Sequence, residues 1–328
     1  MPKSILVTGG AGYIGSHACK ALAEAGYLPI AYDDLSEGHR EAVRWGPLVE
    51  ANVADGEQLR GAIERFDVAA IMHFAAFALV AESVEQPLLY FRNNVGSSLA
   101  LLEAMHRHHV RHLVFSSTCA VYGIPQQTPI PVGSDERPIN PYGQSKLIVE
   151  RMLHWCSRAY QLTFAALRYF NAAGADPGGL IGEDHSPETH LIPLVLDAAL
   201  GRRPHVNVLG TDYPTADGTA IRDYIHVKDL ADAHVKALEY LLQGGPSMTL
   251  NLGTGRGYSV REVIAGAERI VGHPIPVRES LRRPGDPPTL VADPSHALAL
   301  LGLAPAYSDL DTILKTALAF KRNGFAPR

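Results

Sequence analysis

The chain is predicted to be an α/β protein, a doubly wound parallel sheet followed by a smaller α/β domain. Three observations carry this. A strand-like run, Ile5-Leu6-Val7-Thr8, passes directly into Gly9-Gly10-Ala11-Gly12-Tyr13-Ile14-Gly15 and an amphipathic helix through Ala25. Apolar runs and helix-period segments then alternate as far as Tyr169, the pattern of parallel strands joined by crossover helices. Beyond Asn171 the elements shorten and Gly/Pro-rich loops intervene; this places a boundary near residue 174.

The glycines fit two spacings, Gly9-x-x-Gly12-x-x-Gly15 and Gly10-x-Gly12-x-x-Gly15. Missing side chains there permit a tight turn, approach of a pyrophosphate to the backbone and close helix–strand packing. The helix N-terminus then faces the phosphates. The next apolar run, Leu28–Tyr32, closes on Asp33, eighteen residues after Gly15, where a carboxylate reaches the adenosine ribose hydroxyls. Asp33 and Asp34 together repel a 2′-phosphate, and no arginine follows until Arg40. NAD is therefore expected rather than NADP.

Further strands are expected at Leu48–Glu50, Ala69–Phe74, Leu113–Ser117 and Phe164–Tyr169, and helices at Gly56–Glu64, Pro87–His108 and Pro141–Tyr160. In such a sheet the site lies at the strand carboxyl ends, where Ala75-Ala76, Ser116-Ser117-Thr118 and Asn171 fall. After the loop-like stretch Ala172–Glu188 come a helix at Leu191–Leu200, strands at His205–Leu209 and Ile221–His226, and a helix at Val227–Gln243. The domains are expected to span 1–174 and 175–328, the 227–243 helix packing back on the first.

With 328 residues, 46 % hydrophobic and 19 % charged, the chain is ordinary for a globular protein. A formal charge of −5 argues against nucleic-acid binding, which needs a basic face. No apolar run approaches the length needed to cross a bilayer. Cys19, Cys119 and Cys156 show no paired spacing and nothing resembles a signal peptide, so a cytoplasmic location is expected. Fifteen histidines show no metal-ligand grouping.

The stretch richest in chemistry is Asn140-Pro141-Tyr142-Gly143-Gln144-Ser145-Lys146. Asn140 is a good helix cap and Pro141 suits the first helical position. Tyr142 and Lys146, four apart, share one face. An ammonium one turn on and the positive helix end both favour phenolate. A tyrosine so placed can take a proton from an alcohol. A solvated Tyr/Lys pair is the plain alternative, and the rest of the chain weighs against it.

Thr8-Gly9-x-x-Gly12-x-x-Gly15, Ser116-Ser117-Thr118 and Tyr142-x-x-x-Lys146 together resemble the extended short-chain dehydrogenase/reductase family, whose nucleotide domain is Rossmann-like. Within it the chain is similar, along nearly its whole length, to the epimerases that interconvert UDP-glucose and UDP-galactose. Leu167-Arg168-Tyr169-Phe170-Asn171, Asp217-Gly218-Thr219-x-x-Arg222-Asp223-Tyr224-Ile225-His226-Val227 and Arg283-x-Gly285-Asp286 carry that resemblance. It implies a bound NAD, transient oxidation at sugar C4, turnover of the 4-keto sugar and re-reduction. Tyr142 would be the base, Lys146 would hold the nicotinamide ribose and Thr118 the 4-oxygen. The cofactor would lie along Gly9, Gly12, Tyr13, Ile14, Gly15, Asp33, Asn52, Val53, Phe74, Ala75, Ala76, Asn93, Ser116, Ser117, Tyr142, Lys146 and Tyr169. The second domain would hold the UDP-sugar through Asn171, His190, Leu191, Arg222, Tyr224, Arg283, Asp286 and Leu290, with Thr118 and Tyr142 at the sugar. Tyr224, on an apolar strand, is equally well a core residue.

Departures from the family pattern also inform. Asn52 stands where many relatives have Asp, Ala78 where a number have a cofactor-contacting Lys, and His190 where many have Asn. Leu290 limits the far end of the sugar pocket with intermediate bulk, so UDP-N-acetylhexosamine use stays open. The wording Ser117-Thr118-Cys119-Ala120-x-Tyr122-Gly123 also resembles UDP-xylose/UDP-arabinose 4-epimerases. A 4,6-dehydratase would place Asp-Glu directly after the threonine, and Cys119-Ala120 stand there instead. A net oxidoreductase and a non-catalytic NAD-binding scaffold are the remaining alternatives. Relatives pair the helices at 87–108 and 141–160 across a dimer axis. A homodimer is therefore expected, with Leu99, Leu102 and Leu147 as apolar residues beyond what the active site needs.

Overall fold

The structure, a computed structural model, describes residues 2–283 and 286–325. Its strands in chain order are β1 (Ser4–Thr8), β2 (Leu28–Asp33), β3 (Leu48–Glu50), β4 (Val68–His73), β5 (His112–Thr118), β6 (Thr163–Tyr169), β7 (Asn171–Ala173), β8 (Val206–Leu209), β9 (Ile221–His226), β10 (Met248–Leu252), β11 (Gly257–Ser259), β12 (Val277–Ser280) and β13 (Thr289–Leu290). The α-helices are α1 (Tyr13–Glu24), α2 (Gly56–Phe66), α3 (Val80–Glu85), α4 (Pro87–Tyr90), α5 (Ser97–Arg107), α6 (Pro141–Tyr160), α7 (Leu191–Ala199), α8 (Val227–Leu242), α9 (Val260–Val271), α10 (Ser295–Leu301) and α11 (Leu310–Asn323).

Seven strands form one sheet in the order β10-β6-β5-β4-β1-β2-β3. β1 pairs in parallel with β2 and β4, β2 with β3, and β4 with β5. The order reverses between β1 and β4, the switch point at which such sheets open a crevice for a dinucleotide. β1 is buried at every position, so its side chains serve both faces, and an uninterrupted apolar run is what that demands. Leu6, Ile30, Ile71 and Phe115 of the strands pack with Leu59 and Ile63 of α2, Leu101 and Met105 of α5, and Val149 and Leu153 of α6.

Two compact units divide the chain. The first comprises 1–123, 136–168 and 231–250; the second comprises 124–135, 169–230 and 251–328. The expected cut near 174 thus falls at Arg168/Tyr169, and two excursions cross it. β10 supplies an edge strand to the large sheet and α8 leads into it, so most of α8 sorts with the first unit. In the second unit β9 is central, flanked by β11, β13 and β7. Its core joins Val195 and Leu196 of α7, Val206 and Val208 of β8, Val263 and Ile264 of α9, and Ile313 and Leu314 of α11.

The helix expected over Pro87–His108 is interrupted. α4 and α5 are separated by a π-helical stretch, Phe91–Gly96, where one added residue per turn swings neighbouring side chains round the axis.

Candidate active site

The Gly9–Gly15 turn is dictated by contact with its own chain at some positions and not at others. A Cβ on Gly15 would lie 2.0 Å from the Gly9 carbonyl oxygen, so glycine is obligatory for the helix to start there. A Cβ on Gly12 would meet nothing nearer than that same oxygen at 3.4 Å. Gly12 caps α1 with no side-chain hydrogen bond, and the first turn carries no acidic residue. That open, uncharged helix start is a cradle a side chain would fill, as a pyrophosphate requires.

Asp33 ends β2 and is buried. Its Oδ2 accepts from Ala11 N–H and its Oδ1 from Leu35 N–H, both at 2.9 Å. Burial raises its pKa, partly offset by those two donors; each oxygen keeps a second lone pair for a ribose hydroxyl. Asn52 donates to Asp34 Oδ2 (2.7 Å) and accepts from Ala54 N–H (2.8 Å). The Asn52 amide, expected at the cofactor, is therefore already braced against the loop that follows β2. Val53 is buried. Phe74 and Ala75 donate their N–H groups to the Thr8 carbonyl, which holds Phe74-Ala75-Ala76 beside the glycine turn. These residues fit NAD.

α6 begins as its sequence dictates. The Asn140 side chain accepts from Gly143 N–H at 2.8 Å, with Pro141 in the first turn. A Cβ on Gly143 would lie 2.6 Å from the Ala120 carbonyl oxygen, so only glycine lets this turn settle against Cys119–Tyr122, the 3₁₀ turn that follows Thr118. Thr118 Oγ1 accepts from Ala120 N–H, leaving its own proton to donate. Tyr142 and Lys146 are both buried.

Lys146 Nζ donates to the Ser116 carbonyl at 2.8 Å and lies 5.1 Å from the Phe115 ring centre. Burial lowers its pKa to about 7, with the Glu150 carboxylate acting the other way. The ammonium expected to tune Tyr142 is thus itself held near neutrality. Beneath it, buried His73 joins Thr8 Oγ1 (2.6 Å) and Ser98 Oγ (2.9 Å). Burial, then the Lys146 charge, lowers His73 to about 3. It is a neutral brace between strand and helix.

Two features here escape sequence reasoning. The first is Asn94. The π turn carries it into the interior, where Nδ2 donates to Phe77 O and Ser145 Oγ, both at 3.0 Å. Its Oδ1 accepts from Phe77 N–H and from Asn93 Nδ2, so expected cofactor contact Asn93 is its neighbour and donor. An Asn-Asn pair inside an apolar helical run was the available signal. The second is a buried ion pair. Arg168 binds Glu150 through Nε (3.0 Å) and Nη2, and also Glu136 and the Tyr122 hydroxyl. Ser117 donates its hydroxyl to the same Glu150.

The second unit holds the remaining expected residues. Register pairs Asn171 with Tyr224, and Arg222 with Leu290. Arg222 forms an ion pair with Asp286 and donates to the Ile221 carbonyl. Tyr224 is buried in the second core, and burial raises its phenol to about 12. Leu290 and Tyr169 are half-buried and Arg283 is exposed. Gly285 of the Arg283-x-Gly285-Asp286 motif lies outside the described residues. Leu191 opens α7 against the same core, and His190 is that helix's cap residue. His190 Nδ1 is 2.8 Å from buried Glu183. Burial alone would lower this imidazole, yet the Glu183 charge and hydrogen bond carry it up to about 10. The histidines were expected to show no ligand grouping, but Glu183, His185, Glu188 and His190 gather here.

Comparison with known proteins decides the family. The model of the NAD dependent epimerase/dehydratase family matches residues 5–253. The chain belongs to the NAD dependent epimerase/dehydratase family. Among curated family members it is 51 % identical over 315 residues to the UDP-glucose 4-epimerase of Rhizobium leguminosarum bv. trifolii, covering 96 % of each chain. Among solved structures, the Brucella ovis UDP-glucose 4-epimerase in complex with NAD shares 52 % identity at a TM-score of 0.94, over 96 % of this chain and 97 % of that one. The Stenotrophomonas maltophila UDP-glucose-4-epimerase, solved with NAD and formylated UDP-arabinopyranose, shares 40 % identity at a TM-score of 0.94 over 98 % of each chain. Among the described residues, no helix is long and apolar enough to cross a membrane.

Proposed function

We propose that this chain is an NAD-dependent epimerase that interconverts UDP-glucose and UDP-galactose at sugar C4. The observation that carries the reading is the seating of Tyr142 and Lys146 on α6 against the Ser116–Thr118 strand end, beside an open glycine cradle. Bound NAD supplies the hydride acceptor for C4 and the same hydride for the return.

The chain's own groups manage the proton and the grip. Tyr142 takes the 4-hydroxyl proton as the C4–H bond breaks, and gives it back when the 4-keto sugar is reduced on its other face. Thr118 donates to the 4-oxygen throughout. Lys146, fixed by Ser116, orients the nicotinamide ribose. Asp33 selects the adenosine ribose hydroxyls, and Gly12 admits the pyrophosphate. Arg222 and Arg283 suit the substrate diphosphate in charge and fork geometry. Asp286 serves the uridine ribose, with Asn171, His190 and Leu191 on the same nucleotide. Firm hold on the nucleotide and loose hold on the hexose allow the keto sugar to turn.

The test is to mix the enzyme with UDP-galactose and no added cofactor. UDP-glucose should appear without lasting accumulation of reduced nicotinamide. Stoichiometric reduced nicotinamide would mark a net oxidoreductase instead, and no conversion would sink the catalytic reading. A second reading, wider use of UDP-pentoses or UDP-N-acetylhexosamines, is favoured by the half-buried Leu290, which is smaller than an aromatic at that place. A panel of UDP-sugars separates the two.

We further propose a cytoplasmic homodimer joined through α4–α5 and α6. Leu102 and Leu147, expected among its apolar residues, are buried core residues, whereas Leu88, Leu99, Trp155 and Tyr160 on these helices are at least half exposed. Large apolar side chains exposed on these helices favour association. A monomer at micromolar concentration in light scattering would end the proposal.

A further inference from the structure

The loop leading into α7 carries a cluster of which His190 alone has a part in the proposed reaction. Glu183, His185, Glu188 and His190 fall within eight residues, and one potential ligand atom from each lies within 4.8 Å of all the others. Glu183 Oε1 is 2.8 Å from His190 Nδ1 and 3.4 Å from His185 Nδ1. Glu188 Oε1 is 3.3 Å from His190 Nδ1, and Glu188 Oε2 is 3.9 Å from His185 Nδ1.

We propose that these four side chains form a binding site for a divalent first-row transition ion of the zinc class. A tetrahedral ion with bonds of about 2.0–2.1 Å sets its ligand atoms roughly 3.3 Å apart, and the separations of 2.8, 3.4 and 3.9 Å that link Glu183 Oε1, the two Nδ1 atoms and Glu188 Oε2 straddle that value. Two imidazole nitrogens with two carboxylates are a donor set such ions accept, and the two negative charges match the ion.

Glu188 provides an independent pointer. Its Oε1 accepts from Thr189 and His190 N–H, both at 2.8 Å, which fixes the carboxylate. Its Oε2 is buried without a hydrogen-bond partner, though the side chain is only 9 % exposed. A buried carboxylate oxygen left unsatisfied is costly, and a cation at the centre of the cluster would satisfy it. Four protein ligands leave no open position, so the ion's role is structural: it ties the loop to the start of α7. Coordination through Nδ1 leaves His190 Nε2 for the substrate role proposed above. The competing arrangement is a set of imidazolium–carboxylate pairs with no ion.

The test uses tag-free, full-length enzyme stripped with EDTA and titrated with Co²⁺ and Zn²⁺. The expected result is one ion per chain, an intense visible Co²⁺ band of tetrahedral coordination, and its loss on adding Zn²⁺. His185→Ala and Glu188→Gln should each weaken binding by more than the roughly 10–100-fold that loss of an outer-shell partner costs, with circular dichroism reporting that both stay folded. Absence of the band in wild type, or equal affinity in wild type and both variants, would overturn the site. Because no turnover is read, its failure is independent of the epimerase proposal.

Discussion

Lys146 Nζ and the carbonyl oxygen of Ser116 meet at 2.8 Å where α6 crosses the end of β5, with both residues buried. One hydrogen bond thus fixes the amine that the chemistry needs, in a place that penalises its charge. Burial lowers the amine to about 7, more than Glu150 raises it, while an unfolded chain keeps it protonated to about 10.4. Between those values the unfolded chain binds one proton more than the folded one. Stability from this group therefore rises with pH across the window and is lost as pH falls through about 7. Lys146→Met in nucleotide-free protein should gain most over wild type near pH 6, and the gain should shrink towards pH 10. Thermal melts across that range check it, and a pH-independent difference would refute the buried-charge account.

Gly12 and Gly15 look alike in the motif and should behave differently. Gly15→Ala drives a methyl into the Gly9 carbonyl, an overpacking expected to cost about 1–3 kcal/mol. Gly12→Ala has room within the chain and should melt near wild type when both are free of nucleotide, yet its methyl fills the cradle and NAD retention should fall. Melting temperature and bound-nucleotide content measured together decide the point. A Gly12→Ala variant still full of NAD would show that the cradle is not where the pyrophosphate sits, and a destabilised one would show that the methyl has no room within the chain.

Local chemistry explains what could be read in advance. The glycine turn and the Asn140/Pro141 start of α6 depend on residues within a few positions of one another, and Asp33 lies at a fixed distance of one helix and one strand beyond that turn, so spacing suffices for all three. Other features depend on distant partners. Asn94 bonds to Phe77 and Ser145, 17 and 51 residues away, so nothing in the local pattern of the helix announces its role. β10 reads as any short apolar run until it docks at the sheet edge beside β6. Arg168, in the strand wording Leu167-Arg168-Tyr169, gives no hint that it is among the most buried side chains of the chain. The cluster at 183–190 is irregular backbone, and periodicity says nothing there.

Tyr142→Phe removes one hydroxyl from a buried ring and should leave the fold intact. If Tyr142 carries the proton, turnover should drop by about 10²–10⁴-fold, the range that positioned acid–base groups contribute, while bound NAD is retained. Steady-state rates with UDP-galactose alongside nucleotide content make the comparison. Near-wild-type turnover would remove Tyr142 from the role and pass it to Thr118 or to water.

The Arg168–Glu150 pair lies under the same strand end, and its energetics can be separated from catalysis. Each side chain is almost fully buried, 2 % and 3 % exposed, and Ser117, Tyr122 and Glu136 add further hydrogen bonds. Arg168→Met leaves the Glu150 charge buried, which should cost about 3–5 kcal/mol. Removing both charges in Arg168→Met/Glu150→Leu leaves no buried ion, so the double variant should be more stable than that single one. Denaturant unfolding of the wild type, the two single variants and the double variant forms the cycle. Additive losses would mean that the two groups act independently, and the pair would then be no more than a neighbour to the Lys146 site.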